Sequence, residues 1–283
     1  MQRQLSTGEV AREAKISEHR VRTYADAGLL PCERDPTGKR FFAPDAPSIA
    51  RAVFEQRYGR VVCKEENMKK AIVTDRLQGD TMEQRTDEWF AARLGKVTAS
   101  RVADVIAKTA KGYSASRDNY MAQLICERLT GKPTEGFSSV AMEWGTQTEP
   151  QARAAYSART GELVSEVGFM QHPSIEGAGA SPDGIVGEGL IEIKCPNTAT
   201  HLEYVLAGKP PEKYVTQMLW QMACTGAAWC DFASYDPRLP EHLQLLIVRV
   251  PRNEFRIAEL EDEVRKFLAE LDEKVAKLKE IKL

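Results

Sequence analysis

The chain has 283 residues, enough for two domains at roughly 150 residues each. With 42% hydrophobic and 28% charged residues it has the balance of a globular protein that buries a core. The formal net charge of −2 excludes a uniformly basic nucleic-acid coat but leaves room for local basic surfaces.

The N-terminal residues Met1-Gln2-Arg3-Gln4 lack the apolar run of a secretory signal. No stretch of about 18 apolar residues exists to span a bilayer. Six scattered cysteines without a Cys-x-x-Cys pair read as reduced thiols. A cytoplasmic protein with no membrane association is expected.

The first elements are helical. Thr7 is placed to cap a short helix over Gly8–Ala14, and Lys15-Ile16-Ser17 makes a turn. Ser17 can cap a second helix from Glu18 through Tyr24, and Ala27-Gly28-Leu29-Leu30-Pro31 closes it. Helix, tight turn, helix is the plan whose second helix presents polar side chains to a major groove. His19, Arg20 and Arg22 are the candidate contacts. Residues Asp35–Phe42 read as a two-stranded wing with Lys39 and Arg40 at its basic tip.

The blocks Gly8-Glu9-Val10-Ala11, Ile16-Ser17, Val21-Arg22-Thr23-Tyr24, Gly28-Leu29-Leu30-Pro31 and Gly38-Lys39-Arg40-Phe41 resemble the MerR-like winged helix-turn-helix family. The resemblance covers about the first 45 residues. Where that family starts another helix, this chain has Pro44-Asp45-Ala46-Pro47. The second Pro sits awkwardly in a first turn, so a third helix is expected to be missing or delayed to Ser48. Through Arg60 there are eleven Lys/Arg against eight Asp/Glu, a mild basic bias consistent with DNA contact. A small protein-binding or vestigial domain has the same pattern. Residues 1–60 are taken as this unit. The mixed-charge run Lys64–Lys70 marks a linker over 61–81, and 82–283 form the second domain.

In that second domain, Arg93, Thr98 and Ser100 offer a forked cation and two hydroxyls around a Gly-containing turn, a group suited to gripping a terminal phosphate. Ser181 could add another hydroxyl. Thr98 or Ser100 could equally cap a helix over Arg101–Lys108, and the two uses are compatible. Glu149 leads into the helical stretch Ala152–Tyr156. It would supply the third carboxylate that a second metal needs, or serve as an ordinary first-turn Glu before Pro150.

The most informative stretch is Ser181-Pro182-Asp183-Gly184 followed by Ile191-Glu192-Ile193-Lys194-Cys195-Pro196. Gly184 and Gly187-Glu188-Gly189 are turn residues, and Leu190–Lys194 alternates as a strand. Asp183 and Glu192 are therefore expected on two paired strands, with Glu192 and Lys194 on one face. Two carboxylates supply hard oxygen ligands for Mg²⁺. The Lys194 ammonium can orient an attacking water and neutralise developing charge. A surface hairpin with an ordinary Glu/Lys pair has the same local spacing.

Further on, Tyr214–Gln221 has helical spacing with Gln217 and Gln221 one turn apart on one face. Gln221 reads as a packing or surface residue. Leu243–Val250 is a buried-type strand. From Glu254 onward an apolar stripe through Ile257, Leu260, Val264, Phe267, Leu268, Leu271, Val275 and Leu278 marks an amphipathic helix, expected to pack on the catalytic sheet or on a neighbouring subunit. His172, His201 and His242 share no metal or triad spacing and read as structural.

Taken in order, Trp89-(x)3-Arg93-Leu94-Gly95-(x)2-Thr98-Ala99-Ser100, Trp144-Gly145-(x)3-Glu149, the Asp183 and Glu192–Lys194 blocks, Tyr214-(x)2-Gln217 and Tyr235-Asp236-Pro237-Arg238 resemble the lambda-exonuclease family of viral recombination nucleases. The likeness spans about 200 residues. It implies an α/β, restriction-endonuclease-like mixed-sheet core behind the small winged helix-turn-helix. It also implies a Mg²⁺-dependent exonuclease that digests one strand of linear duplex DNA from its 5′ end and leaves a 3′ single strand for annealing.

The resemblance further assigns roles. Asp183, Glu192 and the Ile193 carbonyl would hold metal, with Glu149 serving the second of two Mg²⁺ ions that Mn²⁺ can replace. Lys194 would activate water and Gln217 would assist. Arg93, Thr98, Ser100 and Ser181 would form the 5′-phosphate pocket, and Met142 would wedge the duplex end. A homotrimer ring around DNA and a single-strand annealing protein as partner are implied as well. A site-directed endonuclease of the restriction or repair type shares the metal motif. A DNA-binding regulator with an inactive nuclease-like domain is a further reading, but it has no use for four intact groups at Asp183, Glu149, Glu192 and Lys194.

Overall fold

The computed structural model describes residues 4–14, 16, 18–54, 83–110, 112–134 and 139–282. The expected linker and the expected cap Ser17 lie outside them. Two compact units emerge: Met1–Ile72 with Glu254–Glu259, and Val73–Asn253 with Leu260–Leu283.

In the first unit, β1 (Leu5–Ser6), α1 (Thr7–Ala14), α2 (Glu18–Asp26), β2 (Glu33–Arg34), β3 (Arg40–Phe42) and α3 (Ala46–Phe54) follow in order, with a sheet ordered β1-β3-β2. Ser6, not Thr7, caps α1. Its N–H and hydroxyl both donate to Glu9 Oε2 at 2.8 Å, and its Oγ accepts from the Glu9 amide at 3.3 Å, a reciprocal capping box. The third helix is present and begins at Ala46, with Pro47 in its first turn. A proline is tolerated there because the missing N–H has no intrahelical acceptor anyway.

Val10, Val21, Tyr24, Leu30, Phe42, Ala50 and Phe54 form the core of this unit. Arg20 lies on the same helical stripe as Val21 and Tyr24, and it is buried rather than presented outward. Its Nε donates to Glu259 at 3.1 Å and its guanidinium lies over the Phe54 ring. It is thus removed from the set of groove-facing residues. His19 and Arg22 remain exposed, with Arg22 paired to Glu18 at 2.5 Å. On the wing, Lys39 lies over Phe41, and Arg40 shares Asp26 with Arg34, each at 2.6 Å.

The second unit runs α4 (Asp87–Arg93), β4 (Val97–Thr98), α5 (Val102–Ile106), β5 (Lys108–Thr109), β6 (Gly112–Tyr113), α6 (Ala115–Thr130) and α7 (Val140–Thr160). Then come β7 (Met170–Gln171), β8 (Ala178–Ala180), β9 (Gly184–Val186), β10 (Gly189–Lys194), α8 (Thr198–Ala207), α9 (Glu212–Thr225), β11 (Trp229–Tyr235), β12 (Leu245–Pro251) and α10 (Glu254–Glu280). The main sheet is ordered β12-β11-β10-β9. It is mixed, with β10 parallel to β11 and the other pairs antiparallel. Parallel neighbours need a crossover, which α8 and α9 provide.

Ile191, Ile193 and Ala233 on one face of the sheet pack with Ala152 and Tyr156 of α7. The buried Asp231 ties the layers together, accepting from Tyr156 Oη at 2.8 Å and from two nitrogens of Arg249 at 2.8 and 2.9 Å. His201 is wholly buried, with Nε2 at 2.8 Å from the Leu243 carbonyl and Nδ1 at 2.7 Å from Ser234 Oγ. The carbonyl can only accept, so Nε2 carries the proton and the ring is a structural bridge.

The stripe of α10 is buried through Val275, while Leu278 is exposed. Within the second unit it meets α6. Phe267 stacks on Tyr120, and Arg117 pairs with Glu270 at 2.7 Å.

Candidate active site

The β9–β10 hairpin sets the site. Its register pairs Gly189 with Val186, Leu190 with Ile185 and Ile191 with Gly184, so Asp183 falls beside Glu192 at the open end. Gly187 (φ 54°) makes the turn in a left-handed conformation that favours glycine. Alternation sends Ile191 and Ile193 into the core under α7 and leaves Glu192 and Lys194 on the opposite face. Asp183 Oδ2 accepts from the Ile193 amide at 2.7 Å. The N–H and C=O of one strand residue point to the same edge, so the Ile193 carbonyl is turned toward Asp183.

Glu192 is completely buried, and a buried carboxylate needs donors. Lys194 Nζ bonds Oε1, Gln217 Nε2 donates to Oε1 at 2.6 Å, and Gln221 Nε2 donates to Oε2 at 2.5 Å. Gln221 is therefore neither a surface residue nor simple packing, and its one-turn spacing from Gln217 is the signal for a shared target. Burial works against the Lys194 ammonium, but Glu192 and Asp183 outweigh it and hold the amine protonated well above its ordinary range. Desolvation, reinforced by Glu192, pushes the Asp183 carboxyl up to about 8.

Glu149 enters from α7, well inside a helix that starts at Val140. It is not in a first turn, and the macrodipole is no account of it. Pro150 sits inside the helix, so the carbonyl one turn earlier lacks its usual donor. Glu149 Oε2 accepts from Arg85 at 2.9 Å, and Oε1 accepts from Arg153 at 2.8 Å. Arg153 also reaches the Asp183 carbonyl at 3.3 Å and pairs with Glu166. Neither arginine stands out in the sequence, although Arg153 lies one helical turn from Glu149.

Beside this cluster, Ser181 Oγ accepts from Arg93 Nη1 at 2.9 Å and from Trp89 Nε1 at 3.0 Å. Its own hydroxyl proton is therefore left to point at a ligand. The Arg93 guanidinium lies 4.0 Å from the centre of the Trp89 ring, and among the described residues no carboxylate pairs with it. Burial accordingly lowers its pKa. Thr98 is buried, its amide donating to Tyr120 Oη at 3.2 Å, whereas Ser100 is exposed. Thr98 makes no side-chain cap, and α5 is shorter than expected. The turn between Arg93 and Thr98 is held at Gly95 (φ 66°), whose N–H donates to the buried Glu127 at 2.9 Å and whose carbonyl accepts from Arg128 at 2.9 Å. Met142 is 59% exposed in the first turn of α7, next to an 83% exposed Val140, so it is not core.

Among the described residues, no three carboxylate, imidazole or thiolate groups form a ready-made metal cage. The Asp183, Glu192 and Glu149 carboxylates are each held by protein donors. No helix among the described residues is long and apolar enough to cross a membrane.

The YqaJ-like viral recombinase domain matches residues 88–228, and the MerR family regulatory protein pattern matches residues 6–42. An alkaline exonuclease from Laribacter hongkongensis is 58% identical with a TM-score of 0.65, over 69% of this chain and 96% of that one. The same enzyme in complex with dAMP gives 59% identity, a TM-score of 0.65 and the same coverage. A phage-related exonuclease from Haemophilus somnus 129PT, at 15% identity and a TM-score of 0.53 over 65% of this chain and 96% of that one, shares the fold. No curated protein sequence matches the chain.

Proposed function

Because this chain belongs to the YqaJ-like viral recombinase family, with a MerR-like helix-turn-helix segment in front, we propose that it is a metal-dependent exonuclease acting on linear duplex DNA. It digests one strand from the 5′ end and leaves a 3′ single strand for a single-strand annealing protein. The carrying observation is the Asp183–Glu192–Lys194 hairpin end, with Ser181 two residues before Asp183 and Arg93 bonded to it. Two residues of extended chain reach about 7 Å, the order of one nucleotide step. A phosphate gripped by Arg93 and Ser181 would then leave the next phosphodiester at the carboxylates. Capture of dAMP by the Laribacter relative supports a mononucleotide product.

The donor set fits a hard divalent cation. All candidate ligands are oxygens: Asp183, Glu192, the Ile193 carbonyl and, for a second ion, Glu149. Burial first, and the Glu192 carboxylate second, raise the Asp183 carboxyl, and a bound dication would offset both by supplying charge at the site. Two Mg²⁺ ions, replaceable by Mn²⁺, are the proposed cofactors. When bound, they supply Lewis-acid stabilisation of charge on the phosphate and ease ionisation of the attacking water.

The chain's own residues do the rest. Lys194, held protonated, is an electrostatic group that orients water and offsets developing negative charge rather than a proton acceptor. Half-buried Gln217 positions Glu192. Arg93 and the Ser181 hydroxyl bind the terminal phosphate, and Ser100 extends that pocket. Exposed Met142 fits a wedge between the duplex ends. A homotrimer ring encircling the DNA is part of the same proposal, as are front-unit DNA contacts through His19, Arg22, Lys39 and Arg40.

The test is digestion of 5′-phosphorylated linear duplex with Mg²⁺, beside a covalently closed circle. Mononucleotides are expected from the 5′ ends of the linear DNA and none from the circle. Cutting of the circle would make the protein an endonuclease, and no cleavage of either would leave a binding protein. Arg93→Ala is expected to lose the preference for 5′-phosphate over 5′-hydroxyl ends. A variant that keeps the parent's preference places the pocket elsewhere.

A further inference from the structure

Arg85 is the one non-glycine residue with a left-handed backbone among the described residues (φ 71°). That conformation is uncommon for a side chain without a local hydrogen-bonding reason. Both of its neighbours are pinned. Gln84 Nε2 donates to the Val167 carbonyl at 2.7 Å and to the Pro182 carbonyl at 2.8 Å. Thr86 caps α4 by accepting from the Trp89 amide at 3.3 Å. The strained residue between these anchors sends its guanidinium to Glu149 Oε2.

The two arginines on Glu149 are not equivalent. Arg153 is mostly buried, at 17% side-chain exposure, and is held by Glu149, Glu166 and the Asp183 carbonyl. Arg85 is 51% exposed and reaches Glu149 alone of the described carboxylates. Together they place one N–H on each Glu149 oxygen, and their two positive charges oppose a cation approaching that carboxylate. Of the two, only Arg85 is half-exposed and bonded to a single described carboxylate, so water can take up its guanidinium at low cost.

We propose that Arg85 is a latch on Glu149, holding this carboxylate in the metal-free protein and giving it up when a divalent cation binds. It is a positioning residue, acting on the reaction through Glu149. The latch sets a threshold, since the guanidinium and the cation compete for the charge of the same carboxylate. The inference rests on the reading of Glu149 as a metal-site residue.

The experiment is calorimetric titration of Mn²⁺ into the full chain without DNA, for the parent and for Arg85→Gly, Arg85→Asn and Glu149→Gln. Glycine and asparagine both accept the left-handed backbone, so both variants are expected to fold, and thermal melts check this. Arg85→Gly and Arg85→Asn are expected to bind Mn²⁺ about threefold or more tightly than the parent, and Glu149→Gln more weakly. Unchanged or weaker binding in both Arg85 variants, with weaker binding in Glu149→Gln, overturns the latch and leaves the metal reading standing. Unchanged affinity in Glu149→Gln removes Glu149 from the metal site and the latch with it.

Discussion

Asp183 shows how a single residue can report what a site is built to hold. Desolvation and the nearby Glu192 carboxylate raise its pKa from 3.8 to about 8, while the unfolded chain keeps the ordinary value. Between those two pH values the metal-free folded state therefore binds a proton that the unfolded state has released. By linkage, stability falls as pH rises from about 4 to about 8. Divalent-metal affinity is expected to rise over the same range, because a cation at this carboxylate would displace that proton. In EDTA, melting temperature is expected to drop through this window for the parent and to stay comparatively flat for Asp183→Asn. Mn²⁺ titrations at about pH 6 and about pH 8 should show the tighter binding at the higher pH. A parent and variant with parallel pH profiles would mean that Asp183 ionises normally.

At the scale of elements, α9 divides its labour between two glutamines one turn apart. Gln221 is wholly buried and Gln217 half-buried, yet both donate to the same carboxylate. Gln221→Ala leaves a charged acceptor short of a donor in a place water does not reach, at a cost of about 1–3 kcal/mol. Chemical denaturation of the metal-free variant measures it. Gln217→Ala is expected to cost less stability and more turnover, since Gln217 is only half-buried where Gln221 is wholly enclosed. Equal stability losses for the two would show that the helix treats them alike. The turn after α4 has a similar division. Glu127 and Arg128 of α6 clamp the two ends of the Gly95 peptide, so the position of Arg93 depends on a helix distant in sequence.

For the whole molecule, the Laribacter relative bears on what the front segment does. That enzyme is matched over 96% of its length by 69% of this chain, so a substantial part of this chain has no counterpart there. Residues 82–283 alone are therefore expected to digest linear duplex at the full chain's rate in saturating single-turnover assays. If the first unit touches DNA, removing it should lower affinity and reduce the salt slope by about one for each phosphate that the unit neutralises. A truncated protein more than about tenfold slower, roughly 1.4 kcal/mol of barrier, would make the front segment part of the nuclease. Glu254–Glu259 cluster with the first unit, and Arg34 and Arg40 of the wing are already paired with Asp26. A small salt slope from that unit is the expected result.

The β9–β10 hairpin is determined by local chemistry alone. Turn residues and a period of two decide which side chains share a face, and Asp183, Glu192 and Lys194 are close neighbours in the chain. The helix-turn-helix is legible for the same reason, its closing Gly28 being a near neighbour of the helix that it ends. Periodicity also marks the stripe of α10 but not its partner α6, because an apolar face specifies burial and not against what. Arg20 turns inward because its stripe carries Val21 and Tyr24, and only the packed core decides which face of a short helix is hidden. Gln221 and Arg85 act on carboxylates that the fold brings to them from other segments, so their roles exist only once those segments meet, whereas the Arg153–Glu149 pair lies within one helix.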